Sequence, residues 1–177
     1  MSAPYGSVTH ALSRAFSAPR PHFSSSSLWS AGVRGYDDLT SSEKIALDGI
    51  VQTIAIARCR PMSVRCFRIL WDDEAAMVVE AMVGVIDGFR KPSRRPPSEF
   101  CIAVIQRWAA PRMTLKVPKR SDRQWAKIMN VDHKTVGLAR RELRELLVQA
   151  YAAGLRTMEI ELTARGLIPS NQDEDVA

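Results

Sequence analysis

The 177-residue sequence predicts a mainly α-helical fold. Apolar residues recur at intervals of three and four over successive stretches, the spacing that lines one side of a helix. Prolines and short hydroxyl or acidic residues stand between these stretches, where helices stop and start. Two short segments, 113–117 and 156–162, read as strands, and 63–70 (SVRCFRIL) fits either a helix or a strand.

The first 38 residues are expected to form a disordered arm. Residues 1–36 contain no Asp or Glu, carry Arg14, Arg20 and Arg34, and include the run SSSS at 24–27. That composition also suits an organellar transit peptide, although Pro4, Pro19 and Pro21 interrupt any long amphipathic helix.

Order is expected from about Leu39. Thr40, Ser41 or Ser42 offers a hydroxyl to cap a helix. Ile45, Ala46, Ile50, Val51 and Ile54 then follow at helical spacing to about Arg58, with Pro61 as a stop. Asp72 and Asp73, followed by Glu74, open a second helix running to about Asp87, with Gly88 at its end. Met77, Val78, Val79, Met82, Val83, Val85 and Ile86 cover nearly every face of that helix. A helix apolar all round is a domain centre or a subunit contact, so residues 39–90 are read as a region for homodimerisation or a partner.

The loop KPSRRPP (91–97) is the expected boundary. Ser98 caps the next helix, to about Ala110, with Phe100, Ile102, Ala103, Ile105 and Trp108 apolar, and Pro111 stops it. A domain over 98–168 and a solvated tail over 169–177 complete the division.

Net charge is concentrated in one region. Between residues 112 and 145 stand ten Lys and Arg against four Asp and Glu, which leaves +6, the net charge of the whole chain. Within that window, SDRQWAKIMNVDHKTVGLARREL (121–143) holds two short amphipathic stretches. Ser121 or Asp122 caps the first, and Trp125, Ala126, Ile128 and Met129 supply its apolar contacts. Ala126 is small enough to let a second helix approach. Asn130 tolerates the left-handed conformation of a tight turn, Val131 plugs the corner, and Asp132 caps the second helix. On that helix Val136, Ala139, Leu143, Leu146, Leu147 and Ala150 fall within about a third of the circle. His133, Lys134, Gly137, Arg140, Arg141 and Arg144 gather opposite. Gly137 costs a helix about 1 kcal/mol, yet on a basic face it lets another molecule approach the backbone.

This pattern resembles the helix-turn-helix DNA-binding domains, in Trp125, Ala126 and Met129 of the first helix, Asn130-Val131 of the turn, and Val136 and Ala139 of the second helix. It departs from them at Asn130, where glycine is usual. The flanking order of helix, short strand, helix pair and strand resembles a winged helix, and LTARGL (162–167) looks like the L-T-x-x-G ending of some winged-helix regulators. No second wing strand is evident. The resemblance implies a mainly α chain in which a helical N-terminal part precedes a helix-turn-helix domain with a short winged-helix-like β element.

What the resemblance implies for function is sequence-specific binding of double-stranded DNA, with helix 133–148 in the major groove and a role in transcription regulation. His133, Lys134, Gly137 and Arg141 would face base edges. Lys119, Arg120, Arg123, Lys127, Thr135, Arg140 and Arg144 would hold phosphates. The implied compartment is the cytoplasm, at the nucleoid. Two other readings share the motif: an assembly or replication protein of a phage or mobile element, similar to small terminase subunits, and an organellar RNA- or ribosome-associated protein if residues 1–36 are a transit peptide.

Other classes find little support in the sequence. No phosphate-binding glycine loop occurs, and His10, His22 and His133 stand apart from any nucleophile, so no enzyme is expected. Cys59, Cys66 and Cys101 are odd in number and without C-x-x-C spacing, which points to buried thiols and no metal site. No cofactor, small-molecule ligand or membrane partner is read. No run of about 18 apolar residues occurs to span a bilayer.

Overall fold

The computed structural model describes residues 3–17, 35–71, 96–109 and 120–170. The molecule is mainly helical, with no strand among the described residues. In chain order the helices are α1 (Val8–Ser17), α2 (Ser41–Arg58), α3 (Pro61–Trp71), α4 (Ser98–Ala109), α5 (Asp122–Met129) and α6 (His133–Ala164), with a 3-10 turn at Tyr36–Asp38. No described helix is long and apolar enough to cross a membrane. The apolar helix expected over 73–87, the strand expected over 113–117, most of the 91–97 loop and the acidic tail lie outside the described residues.

The spine is α6, whose 32 residues run about 48 Å at 1.5 Å per residue. It crosses two apolar clusters. One joins Val136, Ala139, Leu143 and Leu147 of α6 to Cys66, Ile69 and Leu70 of α3, Phe100, Val104 and Ile105 of α4, and Trp125 and Ala126 of α5. The other joins Met158 and Leu162 of α6 to Leu12 and Phe16 of α1, Val51, Ile54 and Ala55 of α2, and Val64 and Phe67 of α3. Trp71 and Tyr151 pack against both, with ring centroids 6.1 Å apart.

The strand expected over 156–162 is instead the last part of α6. Met158, Ile160 and Leu162 alternate, and so imitate a half-buried strand. Met158 and Leu162 are fully buried while Ile160 is 71% exposed. Their inward spacing is four, and Leu147, Tyr151, Gly154, Met158 and Leu162 continue one helical stripe. No winged-helix β element forms there. The LTARGL segment ends the helix: Gly166 takes a φ of 66°, and the Leu167 N–H donates to the Leu162 carbonyl at 2.9 Å. Such a left-handed glycine closes helix ends because it carries no Cβ.

Contact between α3 and α6 is unusually close at Gly154. A Cβ built there would lie 2.6 Å from the Phe67 ring and 2.7 Å from Ser63 Cβ. The Ser63 hydroxyl donates to the Ala150 carbonyl at 2.6 Å, and the Cys66 thiol donates to the Leu147 carbonyl at 3.8 Å. All three cysteines are buried, and none is in a disulfide. Burial pushes the Cys66 thiol up to about 12 and, with Glu161 nearby, Cys59 up to about 11, so neither is a ready thiolate.

The helix expected over 43–58 forms, and Thr40 is its cap. Its side chain accepts from the Glu43 N–H, and the Glu43 carboxylate accepts from the Thr40 N–H at 2.8 Å, a reciprocal capping box. The helix ends at Arg58, ahead of Pro61. Pro61 opens α3, at the position where a missing N–H costs no helical bond. Residues 63–70 are therefore helical.

Residues 3–17 and 35–38 are not a disordered arm. Helix α1 buries Ala11, Leu12, Ala15 and Phe16, and its span falls between Pro4 and Pro19, so the prolines bound it and do not break it. The Tyr5 N–H donates to the Leu167 carbonyl and the Tyr36 N–H to the Pro4 carbonyl, each at 3.0 Å. Buried Asp48 of α2 accepts the Tyr5 hydroxyl at 2.7 Å and the Tyr36 hydroxyl at 2.8 Å. One carboxylate thus fastens two segments of the N-terminal region to the helical body.

Candidate nucleic-acid interface

The site is built on the junction of α5 and α6. Ser121 accepts from the Gln124 N–H at 3.3 Å, and Gln124 Oε1 accepts from the Ser121 N–H at 2.7 Å, so both ends of a capping box are made. Asn130 stands in the left-handed region with φ 50° and ψ 49°. The Val131 N–H then donates to the Ala126 carbonyl at 3.0 Å. Asp132 caps α6 by accepting from the Lys134 N–H at 2.6 Å. These are the caps and the turn residue that the sequence suggests.

Two apolar assignments in this region differ. Ile128 is 53% exposed and Val131 38% exposed, so neither packs the corner. Trp125 fills it instead, edge-on to Phe100 of α4 with ring centroids 5.4 Å apart. Its other face carries Arg120, whose guanidinium carbon lies 5.1 Å from the ring centroid, a favourable cation–π distance.

The outer face of α6 presents His133, Lys134, Arg141 and Arg144 as exposed side chains, with Thr135 and Gly137 half-buried. Arg123 and Lys127 on α5 are exposed as well. Lys119 lies outside the described residues. Arg141 and Arg144 border a depression of about 410 Å3 with Gly137, Arg140, Glu145, Val148 and Gln149.

Arg140 is placed differently from its neighbours. Its Nε donates to Asp122 Oδ1 at 2.9 Å, its Nη2 reaches the same oxygen, and its guanidinium carbon lies 5.4 Å from the Phe100 ring centroid. Only 18% of its side chain is exposed. The expected phosphate ligand is therefore a clamp joining α5 and α6 across α4. A charge-assisted pair of this kind fixes the angle between helices. It also removes Asp122 from the list of acids that would offset the outer face.

Gly137 has no such internal reason. Among the described residues a Cβ there would have Asp122 Oδ2 at 3.8 Å as its one neighbour within 4 Å, an ordinary contact. Alanine would fit, and a helix favours alanine by about 1 kcal/mol.

A second depression of about 410 Å3 opens between α4, α5 and α6, lined by Val104, Arg107, Trp108, Arg120, Arg140 and Arg144 with the Ser121–Asp122 cap. Arg107 and Trp108 do not emerge from a reading of the charged window because they precede it in sequence. The available signal is Arg107 following Val104 on α4 at a spacing of three, at the edge of the buried stripe.

No family model, no curated protein and no solved structure matches this chain.

Proposed function

We propose that this chain is a sequence-specific double-stranded DNA-binding protein of the helix-turn-helix class and a transcription regulator acting at the nucleoid. The first four turns of α6 enter the major groove. His133, Lys134, Gly137 and Arg141 face base edges, and Lys119, Arg120, Arg123, Lys127, Thr135 and Arg144 meet phosphates on either side. Arg140 leaves the phosphate set, because its guanidinium already serves Asp122.

The observation that carries this reading is Gly137. Among the described residues nothing packs against this position closely enough to require a glycine, and the residue sits between Lys134 and Arg141 on a face where Arg144 is also exposed and Glu145 is the neighbouring exposed acid. A groove-reading helix gains from a missing side chain at the point of closest approach. An ordinary solvated face gains nothing from it.

Titration of a selected duplex with the parent chain and with Arg141→Ala tests the assignment. A bidentate arginine–guanine contact is worth about 1–3 kcal/mol, so the variant loses roughly five- to hundredfold in affinity for the preferred sequence, with little change on random duplex. Equal losses on both duplexes make Arg141 a phosphate contact, and no loss on either removes it from the interface.

A further inference from the structure

We propose that the depression between α4, α5 and α6 is a binding site for a small phosphate ester carrying a planar ring, the chemistry of a nucleoside monophosphate. It is lined by Arg107, Arg120, Arg140 and Arg144 together with Val104 and Trp108. Asp122 is the acid at the rim, and its Oδ1 already accepts from Arg140. Among the described residues no carboxylate pairs with Arg107, Arg120 or Arg144. Unneutralised guanidinium groups from three separate parts of the chain thus converge on one concavity, and planar forked donors suit a phosphate.

The half-buried Trp108 indole distinguishes this site from a place where a DNA strand only passes. A backbone phosphate needs cations at a rim and no aromatic ring among them. A volume of about 410 Å3 falls within the range of small-molecule pockets, roughly 300–1,000 Å3. Arg140 and Arg144 form the ridge between this depression and the one on the outer face of α6. The site stands without the DNA reading. Should both hold, the ligand draws Arg144 away from the DNA backbone.

The test is calorimetric titration of the full chain, without DNA, using AMP as the probe at low ionic strength. One AMP binds per chain. Adenosine and inorganic phosphate, each tried alone, bind more weakly by about tenfold or more, since either half of the ligand forgoes a charged or a stacking contact. Arg107→Gln and Arg144→Gln each weaken AMP binding by roughly tenfold or more while melting as cooperatively as the parent, and Arg141→Gln binds AMP as the parent does. Absence of AMP binding at millimolar concentration overturns the proposal. So does phosphate binding as tightly as AMP, which marks an unspecific anion contact. AMP affinity unmoved in both pocket variants also overturns it. If AMP fails to bind while Arg107→Gln weakens duplex affinity, the depression is a DNA phosphate contact and the ligand assignment is wrong.

Discussion

Gly154 and Gly137 occupy the same helix under opposite constraints. At Gly154 a Cβ would stand 2.6 Å from the Phe67 ring and 2.7 Å from Ser63 Cβ, so Gly154→Ala forces α3 and α6 apart and costs about 1–3 kcal/mol. At Gly137 the space is free, and Gly137→Ala raises stability by up to about 1 kcal/mol while reducing affinity for duplex DNA. Urea denaturation of the two variants, paired with a duplex titration of the second, checks both signs. A destabilised Gly137→Ala variant, or one that binds DNA as the parent does, speaks against the groove role. The sequence makes Gly137 visible as an oddity within a helical pattern, whereas Gly154 lies beyond the stretch read as that helix. It does not say which one is packed, because that depends on Ser63 and Phe67, which are far away in sequence.

Asp48 carries a pH signature. Burial raises its pKa, and the hydrogen bonds from Tyr5 and Tyr36, with the charges of Arg14 and His10, only partly oppose this. Burial and the bond to Asp48 likewise push the Tyr36 phenol up to about 12. A carboxyl whose folded pKa lies above its unfolded value contributes stability that is present below the unfolded value. That contribution is lost as pH rises through the folded one. Asp48→Asn removes this titration. Stability of the parent relative to Asp48→Asn therefore falls as pH rises from the ordinary aspartate range through the raised pKa, and it is flat below that interval. Denaturation curves at a series of pH values read this directly, and parallel profiles would contradict it.

At the scale of elements, caps and breakers were legible and long-range packing was not. Thr40 with Glu43, Ser121 with Gln124, Asn130 and Asp132 act where local chemistry places them, because a cap depends on neighbours within a few residues. Helix α1 leaves a weak signal in the sequence because its apolar set is short and its neighbourhood is rich in Pro and Ser. What recruits it is the distant α2–α3 surface and Asp48. The end of α6 imitates a strand in sequence because Met158, Ile160 and Leu162 fit a period of two as well as Met158 and Leu162 fit a spacing of four. Ile160→Lys separates the two structures. In the helix this side chain is 71% exposed, so the substitution changes stability by no more than about 0.5 kcal/mol. On a strand with Ile160 facing inward it would be strongly destabilising. Thermal melts of Ile160→Lys beside the parent decide between them.

At the scale of the whole molecule, α6 joins the candidate reading face to the body of the protein. Its first half carries the exposed basic residues, and its second half is fixed by Met158, Leu162 and the close pass at Gly154. A helix held along this length presents its outer face as a rigid surface, which favours precise readout over a flexible basic patch. The Asp122–Arg140 clamp fixes α5 to the same body. Concentration of the net charge was legible in the sequence. The division of labour among the arginines was not, since the clamp depends on where Phe100 of α4 stands. To that proposed function we add, as a proposal, the homodimer that the sequence suggests through residues 73–87. A two-fold dimer presents two copies of α6 to half-sites about 34 Å apart along the duplex.

The measurement closest to the central claim is selection of duplex DNA bound by the full chain from a random pool at physiological salt, followed by sequencing. A groove-reading α6 enriches one short motif, in two copies about one helical turn apart if the chain pairs, and Arg141→Ala relaxes the preference at a single base pair of each copy. Recovery of DNA without any enriched sequence, or of the same motif at the same strength from Arg141→Ala, would contradict it.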